Sequence, residues 1–478
     1  MSRSTRRQFL EESMLAAAAL AAAGLTPIPL RAQDNSKSAN DVIRHAVIGL
    51  RNRGRDHLDE FMNIPGVEIA YICDPDAEIL AKSKQRVIDK QGRAPEAVAD
   101  MRKVFDDKTV HTVSIATPNH WHALATIWAI QSGKHVYCEK PVCHNVVEGR
   151  RMVEAARHHQ RLCQAGTQRR SSGDLRAAAE YLQAGKLGKI KLARSIVYRE
   201  RETIGKPGAY QPPKQVDYNR WLGPAQDEPL TRPNLHYDWH WYWNTGNGEI
   251  ANNNIHQVDA CRILTGGAGG LGNSVLSIGG RFGFGDAGET PNTQITVHGF
   301  DDFAIVQETR NLKTATYRPD LDEGWIVECE HGFVAGTSAF DLDGKLIETF
   351  QREGENHFAN FIRAVRSGKQ EDLNGDILEG HQSTSLCHVA NISHRLGQTA
   401  TPEEIRARLE SENARPEFVD AYSRMEQHLH DHGVDLAKTP LSLGARLVLK
   451  GESFVDNSHA DALLTREYRG EFTLPKIG

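Results

Sequence analysis

The chain has 478 residues, of which 25% are charged and 39% are hydrophobic, and its formal net charge is -5 at pH 7. This length predicts two domains with a core large enough for an ordinary globular enzyme. The charge balance gives no reason to expect a nucleic-acid partner. No apolar run reaches the roughly 20 residues that a membrane span requires, so no membrane is expected as a partner either.

The first 40 residues have the plan of an export signal. Arg6 and Arg7 precede an apolar, Ala-rich segment from about Met14 to Leu25, which is too short for a membrane helix. The pattern predicts a twin-arginine signal peptide and linker at residues 1–40. Because the twin-arginine route carries folded proteins, we expect a periplasmic or secreted protein that acquires any cofactor before export.

Seven cysteines are present, with no CxxC pair among them. An odd number without such pairs is not a disulfide framework, and folding in a reducing cytoplasm also argues against disulfides. We interpret the cysteines mainly as buried small hydrophobic residues. Cys138, two residues before Lys140, is the one that could lie near chemistry.

Residues 41–166 alternate strands, turns and helices, which predicts a parallel sheet. The first strand, at residues 43–49, runs into a G-x-R-x-x-G turn from Gly49 to Gly54. Such a turn needs glycine for its curvature, and the N–H groups of the following helix bind a pyrophosphate. Arg51 replaces the middle glycine, and its guanidinium can itself contact a phosphate oxygen.

Asp74 ends the second predicted strand, at residues 67–73, about 20 residues past the glycine turn. An acid in this place accepts hydrogen bonds from the adenosine ribose and repels a 2′-phosphate, so NAD is favoured over NADP. The alternative is that Asp74 only caps the next helix. Two more strands, at residues 112–116 and 135–138, end at T-P-N-H-W-H (117–122) and E-K-P (139–141).

The turn at residues 49–54, Asp74, T-P-N-H-W-H and E-K-P together resemble the Gfo/Idh/MocA oxidoreductases in order and spacing. The resemblance implies that Lys140 contacts substrate beside the nicotinamide and that Pro141 follows a cis peptide. It also implies that Asn119 and His122 line the nicotinamide side. The predicted cofactor-binding residues are Gly49, Arg51, Asn52, Gly54, Asp74, Thr117, Pro118, Asn119, His122, Glu139, Lys140 and Gln168.

The predicted fold class is α/β, with a Rossmann NAD-binding domain at residues 41–166 and a C-terminal α+β domain at residues 167–478. Short strands at residues 279–284, 294–299, 304–309, 325–330 and 332–337 predict a large, mostly antiparallel sheet. The family resemblance implies an open sheet whose outer face forms a dimer interface, so a dimer or tetramer is expected. After residue 399 we expect mostly helix, with the last residues packed back onto the body.

Residues 236–243 interleave aromatic and polar side chains. In an extended backbone Trp239, Trp241 and Trp243 lie on one side, with His240 and Tyr242 on the other. Rings among hydrogen-bonding groups suit carbohydrate, although aromatic residues at strand period are also common in cores. The predicted substrate-binding residues are Arg169, Trp239, His240, Trp241, Asn253 and His256.

A helix predicted over residues 246–259 places Asn252, His256 and Asp259 on one face. This segment resembles the family's D-x-x-x-H-x-x-D helix, which implies that His256 is catalytic together with Lys140. Asn252 replaces the common aspartate and cannot serve as a base, although we include it in the catalytic set. Asn254 stands where glycine is usual, and Asn tolerates left-handed backbone. No cluster has metal-ligand spacing, so no metal is predicted.

These features predict an enzyme, an NAD(P)-dependent oxidoreductase that oxidises a CH–OH group of a sugar or sugar derivative. Because free NAD is not expected to be plentiful outside the cytoplasm, the nicotinamide should be tightly held and reoxidised on the enzyme. One alternative is an NAD-dependent glycoside hydrolase or epimerase that works by transient oxidation, which Asn252 keeps open. Another is a non-catalytic secreted carbohydrate-binding protein with the same fold.

Overall fold

A six-stranded parallel sheet forms the first part of the computed structural model, which describes residues 42–267, 270–318, 321 and 323–477. Its strand order is β3-β2-β1-β4-β5-β6, so the order reverses between β1 and β4. Doubly wound sheets bind their ligands at that reversal, outside the carboxyl ends of the strands. The strands are β1 Ile43–Ile48, β2 Val67–Cys73, β3 Glu96–Val98, β4 Thr112–Ile115, β5 His135–Glu139 and β6 Cys163–Gly166.

Five helices connect these strands. Asp76 begins α2 by accepting hydrogen bonds from the N–H groups of Glu78 and Ile79, and Asn145 begins α5 by accepting one from Glu148. Side-chain caps of this kind satisfy N–H groups that a helix leaves free at its start. The helices are α1 Asn52–Asn63, α2 Ala77–Gln91, α3 Arg102–Asp106, α4 Asn119–Gln131 and α5 Val146–His158.

A twelve-stranded sheet forms most of the second part. β7 pairs in parallel with β10, and the other described pairings in this sheet are antiparallel, as predicted. The strands are β7 Ile190–Tyr198, β8 Ser274–Gly280, β9 Thr293–Gly299, β10 Ala304–Arg310, β11 Glu323–Cys329, β12 Phe333–Ala335, β13 Ser338–Phe340, β14 Leu346–Thr349, β15 Gln398–Ala400, β16 Leu441–Leu443, β17 Leu447–Lys450 and β18 Ser453–Phe454.

Helices of this chain cover both faces of the second sheet around β7. Ala193 packs in a core with Val258 and Leu386, whereas its neighbour Leu192 packs on the opposite face in a core with Phe418. Alternate strand residues point to opposite faces, so the outer face is not free here. Assembly into a dimer or tetramer stays a prediction. The helices are α6 Gly173–Gln183, α7 Tyr218–Leu222, α8 Gly248–Asn252, α9 Asn254–Leu264, α10 His357–Ser367, α11 Ile377–Arg395, α12 Pro402–Ser411, α13 Pro416–Asp431 and α14 Ser458–Ala462.

The aromatic segment at residues 236–243 is not extended, so the prediction that its three tryptophans share one side was wrong. Residues Asp238–Trp241 form a 3-10 helix. Trp241 is buried beneath the Arg281 guanidinium, 4.7 Å from its ring, whereas Arg395 lies 5.2 Å from the ring of Trp243. Tight helical backbone turns successive side chains in different directions, and the three rings reach three separate environments.

The helix predicted over residues 246–259 is interrupted at Asn253, between α8 and α9. Asn252 and Asp259 therefore lie on different helices, and the continuous face predicted for them is absent. Asp259 is buried and accepts hydrogen bonds from Arg170. Asn254 is the first residue of α9, so its backbone is helical and not left-handed, and its buried side chain donates to the carbonyl oxygen of Glu308.

The chain after residue 399 is less helical than predicted. Beyond α13 it forms β16 to β18, the short helix α14 and a tail without regular structure from residue 465. The tail does pack onto the body, as predicted, with Phe472 only 5% exposed. All seven cysteines are free and buried, in agreement with their interpretation as core residues. Among the described residues no helix is long and apolar enough to cross a membrane.

Candidate active site

A cavity of about 440 Å³ opens at the carboxyl ends of the parallel strands. Its wall combines residues that follow β1, β2, β3, β4 and β5 with residues of the second part of the chain. The predicted site residues that line it are Gly49, Arg51, Asn52, Asp74, Thr117, Pro118, Asn119, His122, Glu139, Lys140, Trp239 and Asn252.

The glycine turn brings the start of α1 close to the sheet. Gly49 has a φ of 84°, and a Cβ on it would lie 2.7 Å from the carbonyl of Ala116. A Cβ on Gly54 would lie 1.8 Å from the Gly49 carbonyl oxygen, so Gly54 permits helix packing and does not line the cavity. No side chain caps α1, which leaves N–H groups of its first turn available to an anion.

Asp74 lies in the cavity wall and is 7% exposed. Its two carboxylate oxygens accept hydrogen bonds from the backbone N–H groups of Leu50 and Asp76, each at 2.9 Å. The cap of α2 is Asp76, so the alternative role for Asp74 does not apply. Burial raises the pKa of Asp74 to about 6, against the lowering effect of the two N–H groups. Asp74 is therefore mainly ionised at neutral pH.

Glu139 is a buried carboxylate with three side-chain donors. Arg53 Nε lies 2.8 Å from its Oε1, His57 Nε2 lies 3.1 Å away and Gln168 Nε2 lies 3.0 Å away. Burial alone would raise its pKa, but Arg53 and His57 hold the pKa of Glu139 well below its usual range. Gln168 does not line the cavity and acts on the site through Glu139. His57 had no sequence signal, since it lies on the buried face of α1.

Lys140 follows Glu139 and precedes a cis peptide bond to Pro141, as the family resemblance implies. Its Nζ donates to the backbone carbonyl oxygen of Asn252 at 2.6 Å, which joins the two parts of the chain across the cavity. Burial lowers the pKa of Lys140, whereas the negative charges of Glu139 and Glu249 oppose that change. A larger fraction of the amine is therefore neutral than in an exposed lysine.

Glu249, which the sequence did not single out, places a buried carboxylate one helical turn before Asn252. Its Oε1 accepts from Arg201 Nη2 at 2.6 Å, and its Oε2 accepts from Asn252 Nδ2 at 3.2 Å. The Asn252 amide therefore has its carbonyl oxygen left for another partner. A glutamate in the first turn of a helix is ordinarily explained by its favourable interaction with the helix dipole. For this reason the sequence pattern alone does not indicate that Glu249 belongs to the site.

Arg201 also reaches the mouth of the cavity, where its Nη1 donates to the hydroxyl of Tyr237 at 2.9 Å. Tyr237 lines the cavity and has a φ of 67°, which is strained for a bulky residue. His240 does not line the cavity. Its Nδ1 lies 2.6 Å from the Tyr237 carbonyl oxygen, so it supports this turn.

The other predicted substrate residues lie outside the cavity wall. Arg169 stacks over Trp325 at 4.7 Å, and Asn253 Nδ2 donates to Glu323 at 3.0 Å. Burial, and then the charge of Lys140, lower the pKa of His256 to about 3. His256 is thus a neutral imidazole near Lys140. Trp241 is buried in the core, and a side chain in that position gives no support to the predicted contact with substrate.

Three hydrogen bonds tie His122 and Asn119, the residues predicted to line the nicotinamide side, to their neighbours. The His122 ring lies between the carbonyl oxygens of Pro141 and Thr117, at 2.6 and 2.7 Å, and so holds the turn after β5 beside α4. Asn119 Nδ2 donates to Asn247 Oδ1 at 3.0 Å, across to the residue that precedes α8. Both side chains have structural partners in addition to their place in the wall.

Sequence models of one oxidoreductase family match most of the chain. One, described as an NAD-binding Rossmann fold, matches residues 43–167, and the other, described as a C-terminal alpha/beta domain, matches residues 204–429. The chain belongs to the Gfo/Idh/MocA oxidoreductase family. Both the parallel sheet and the second, mostly antiparallel sheet are therefore those of this family.

Relatives with curated names match a shorter stretch. A glycosyl hydrolase family 109 protein of Shewanella baltica is 33% identical over 128 residues, and the alpha-N-acetylgalactosaminidase of Shewanella oneidensis is 30% identical over 128 residues. In both cases the match covers 26% of this chain and 28% of the relative. The chain thus spans well under half the length of these relatives.

Solved structures match at the level of the fold. The WlbA dehydrogenase of Bordetella pertussis, in complex with NADH and UDP-GlcNAcA, has a TM-score of 0.54 and 20% identity over 72% of this chain and 94% of its own. The aldose-aldose oxidoreductase of Caulobacter crescentus has a TM-score of 0.54 and 17% identity, over 73% of this chain and 97% of its own.

The cavity fits the NAD that binds to this family's Rossmann fold. The start of α1 offers N–H groups to a pyrophosphate, and Asp74 offers carboxylate oxygens to ribose hydroxyls. Arg51 Nη2 is already bonded to Asp76 Oδ2 at 2.6 Å. A 2′-phosphate would meet the charge of Asp74 without a free arginine beside it, which favours NAD over NADP.

NAD affinity should fall as the pH decreases through about 6, because Asp74 then gains a proton and loses the charge that favours ribose hydroxyls. In Asp74→Asn the affinity should drop about tenfold at neutral pH and lose this pH dependence. Calorimetric titration with NAD between pH 5 and 8 measures both effects. The exposed Asp302→Asn should behave as wild type, and an unchanged pH profile in Asp74→Asn would contradict the role.

Proposed function

We propose that the protein is an NAD-dependent oxidoreductase acting on a CH–OH group of a sugar or sugar derivative, with a tightly held nicotinamide. The observation that carries the proposal is Lys140, a half-buried lysine of lowered pKa, in the same cavity as the glycine turn and Asp74. The sugar class is supported by two structural neighbours, a dehydrogenase in complex with NADH and UDP-GlcNAcA and an aldose-aldose oxidoreductase.

Residues of the first sheet would hold the cofactor. The start of α1 would bind its phosphates, Asp74 its adenosine ribose, and the wall at Thr117–Asn119 and Lys140 its nicotinamide end. When bound, the nicotinamide supplies the hydride acceptor, and the protein supplies placement and electrostatics. Glu139 contributes by fixing Arg53 and the strand end from which Lys140 projects.

Lys140 is better suited than His256 to accept the hydroxyl proton of a substrate carbinol. A general base works best when its pKa is near the working pH, and His256, at about 3, is far below it. As the carbinol C–H bond delivers its hydride, the O–H proton would pass to the neutral Nζ of Lys140, leaving a carbonyl. Asn252 would accept a hydrogen bond from a substrate hydroxyl through its free amide oxygen.

Glycoside hydrolysis or epimerisation by transient oxidation is the second candidate. It is favoured by the alpha-N-acetylgalactosaminidase among the relatives, over the segment that they share. The same Lys140 step would begin that reaction, because oxidation to a carbonyl acidifies the neighbouring C–H. Net oxidation raises nicotinamide absorbance, whereas this route releases the aglycone of an aryl glycoside with no net change in the cofactor.

Lys140→Met should lower kcat by roughly 10²–10⁴-fold, because it removes the proton acceptor, while the protein still binds NAD through the glycine turn and Asp74. Turnover of free sugars and aryl glycosides is followed by nicotinamide absorbance and aglycone release. Lys134→Met is the matched control, since Lys134 is buried and also donates to a carbonyl at 2.6 Å, outside the cavity wall. Full activity of Lys140→Met would disprove the catalytic role of Lys140. If the wild-type protein contained no NAD and showed no turnover, only the carbohydrate-binding alternative would remain.

Glu249→Gln should shift the acidic limb of the pH–rate profile to lower pH. The negative charge of Glu249 raises the pKa of Lys140, so its removal lowers that pKa and keeps the amine neutral in more acidic solution. The glutamine oxygen can still accept from Asn252. Glu308→Gln, another buried carboxylate bonded to arginine, is the control and should leave the limb in place. A shift to higher pH would refute the assignment.

We also propose export by the twin-arginine route to the periplasm or medium, on the sequence of residues 1–40, which lie outside the described residues. The double variant Arg6→Lys, Arg7→Lys should accumulate in the cytoplasm, because receptors of this route read the arginine pair. Fractionation of cells and immunoblotting measure the distribution. Arg3→Lys should be exported normally, and normal export of the double variant would exclude this route.

A further inference from the structure

The tail of the chain crosses from the second part of the protein to the first. Arg469 Nε donates to the carbonyl oxygens of Gly223 and Ala225, at 3.0 and 3.1 Å, and its Nη1 donates to Asn219 Oδ1 at 2.7 Å. Two residues later, Glu471 accepts from Arg102 at 3.1 Å. The tail is thus fastened at one point to the loop around α7 and at another to α3 beside the parallel sheet.

Phe472 brings this tail into the cavity wall. Its ring lies 5.4 Å from the ring of Trp121 at an angle of 81°, and 6.4 Å from that of Trp128. Phe472 lines the cavity together with both tryptophans. Neither family model reaches it, since the second ends at residue 429. An aromatic residue of the cofactor cavity therefore comes from outside the matched domains.

The tail contacts two elements beside the first sheet: Glu471 is bonded to Arg102, which follows β3, and Phe472 packs on Trp121 and Trp128 of α4, which follows β4. Residues 99–102, which also line the cavity, follow β3, whereas Lys140 follows β5. With the order β3-β2-β1-β4-β5, these ends are four strand spacings apart, or about 19 Å. Asp74, at the end of β2, lies next to the β3 end. The tail thus contacts elements at the ends of β3 and β4, which lie on either side of the β2 end that carries Asp74, so it borders the half of the cavity that suits adenosine.

The loop to which Arg469 is bound also closes over that half. The N–H of Asp217 donates to the Pro75 carbonyl oxygen at 2.9 Å, directly after Asp74. Trp121 Nε1 donates to the carbonyl oxygen of Trp221 at 3.0 Å. At Gly223 a Cβ would lie 2.1 Å from the Trp121 ring, so only glycine allows this approach. Tail and loop form one wall.

We propose that the tail from Thr465 to Leu474 is part of the cofactor site, with Phe472 against the adenosine half and Arg469 fastening it, and that it slows dissociation of the dinucleotide. The inference rests on the proposed function, which needs a retained cofactor. Adenine is a flat, largely apolar group that aromatic side chains contact favourably. A dinucleotide that leaves the site loses its contact with Phe472, and the hydrogen bonds of Arg469 hold Phe472 in the position that makes this contact.

The test uses the full-length protein loaded with NADH and chased with excess NAD, so that the loss of bound-NADH fluorescence gives the dissociation rate. Phe472→Ala should release NADH about tenfold faster than wild type, because it removes the aromatic contact and its buried area. Arg469→Gln, which keeps Phe472 but loses the fastening, should change the rate in the same direction. Phe472→Leu keeps most of the apolar volume and should fold if Phe472→Ala does not.

The matched control is Phe454→Ala, because Phe454 is also 5% exposed and belongs to the last part of the chain but lies in another core. It should release NADH at the wild-type rate. Titration with ADP-ribose and with nicotinamide mononucleotide locates the effect, since Phe472→Ala should weaken only the first.

The proposal would be overturned if Arg469→Gln and the folded Phe472 variant, Phe472→Ala or Phe472→Leu, both released NADH at the wild-type rate. It would also be overturned if Phe454→Ala released NADH as fast as that Phe472 variant. In these cases wild type still binds NADH, so the proposed function stands. A wild-type protein that binds no NADH would instead overturn both.

Discussion

The buried carboxylate of Glu139 is the interaction on which the site depends. An unpaired carboxylate in the interior costs several kcal/mol, and three donors from α1 and the turn after β6 offset that cost. Because Glu139 is held from both sides, the end of β5 has one position relative to α1. Lys140 projects from that position and meets the carbonyl of Asn252. The geometry of the reactive end thus follows from one satisfied charge.

Glu249 changes what the replacement at residue 252 means. Without an aspartate there, the second part of the chain would be expected to offer no carboxylate near Lys140. The structure places one a helical turn earlier, bonded to Arg201 and to Asn252 itself. Its charge opposes the effect of burial on Lys140, and its hydrogen bond orients the Asn252 amide. The carboxylate one turn before Asn252 thus supplies negative charge near Lys140, while residue 252 itself presents an amide.

The tail, outside the two matched domains, and the loop around α7, within the second of them, complete the other end of the cavity. The tail and the loop around α7 are joined to each other and to the parallel sheet by backbone carbonyl acceptors, which stay in place when side chains change. Such contacts order an otherwise irregular segment against the site. The two proposals thus place the retention of the cofactor and its chemistry in different parts of the chain, the first at the tail and the second at Lys140 after β5.

The sequence by itself determined the two sheets, the parallel one in particular, and the location of the site at its strand ends. Most strands of the parallel sheet are short, mainly buried runs followed by a glycine turn or polar residues, and this local pattern indicates the arrangement. Gly49, Asp74 and Lys140 lie at the strand ends, as the pattern predicts. Two predictions were wrong because they assumed the regular side-chain spacing of a strand or a helix in segments whose backbone is irregular. The aromatic segment at 236–243 is a 3-10 helix, and the helix expected through Asn252 and Asp259 is broken at Asn253.

Only the tertiary structure decided which distant groups meet. Glu249 and Arg201 are 48 residues apart, and Arg469 is 250 residues from the Asn219 that it contacts. Nothing local to His57, Glu249 or Phe472 distinguishes them from an ordinary core or helix residue. Their roles arise from burial beside a charge or a cavity, and burial is a property of the packed chain. The sequence thus predicts where a ligand binds, while packing sets the charge, the orientation and the closure of that site.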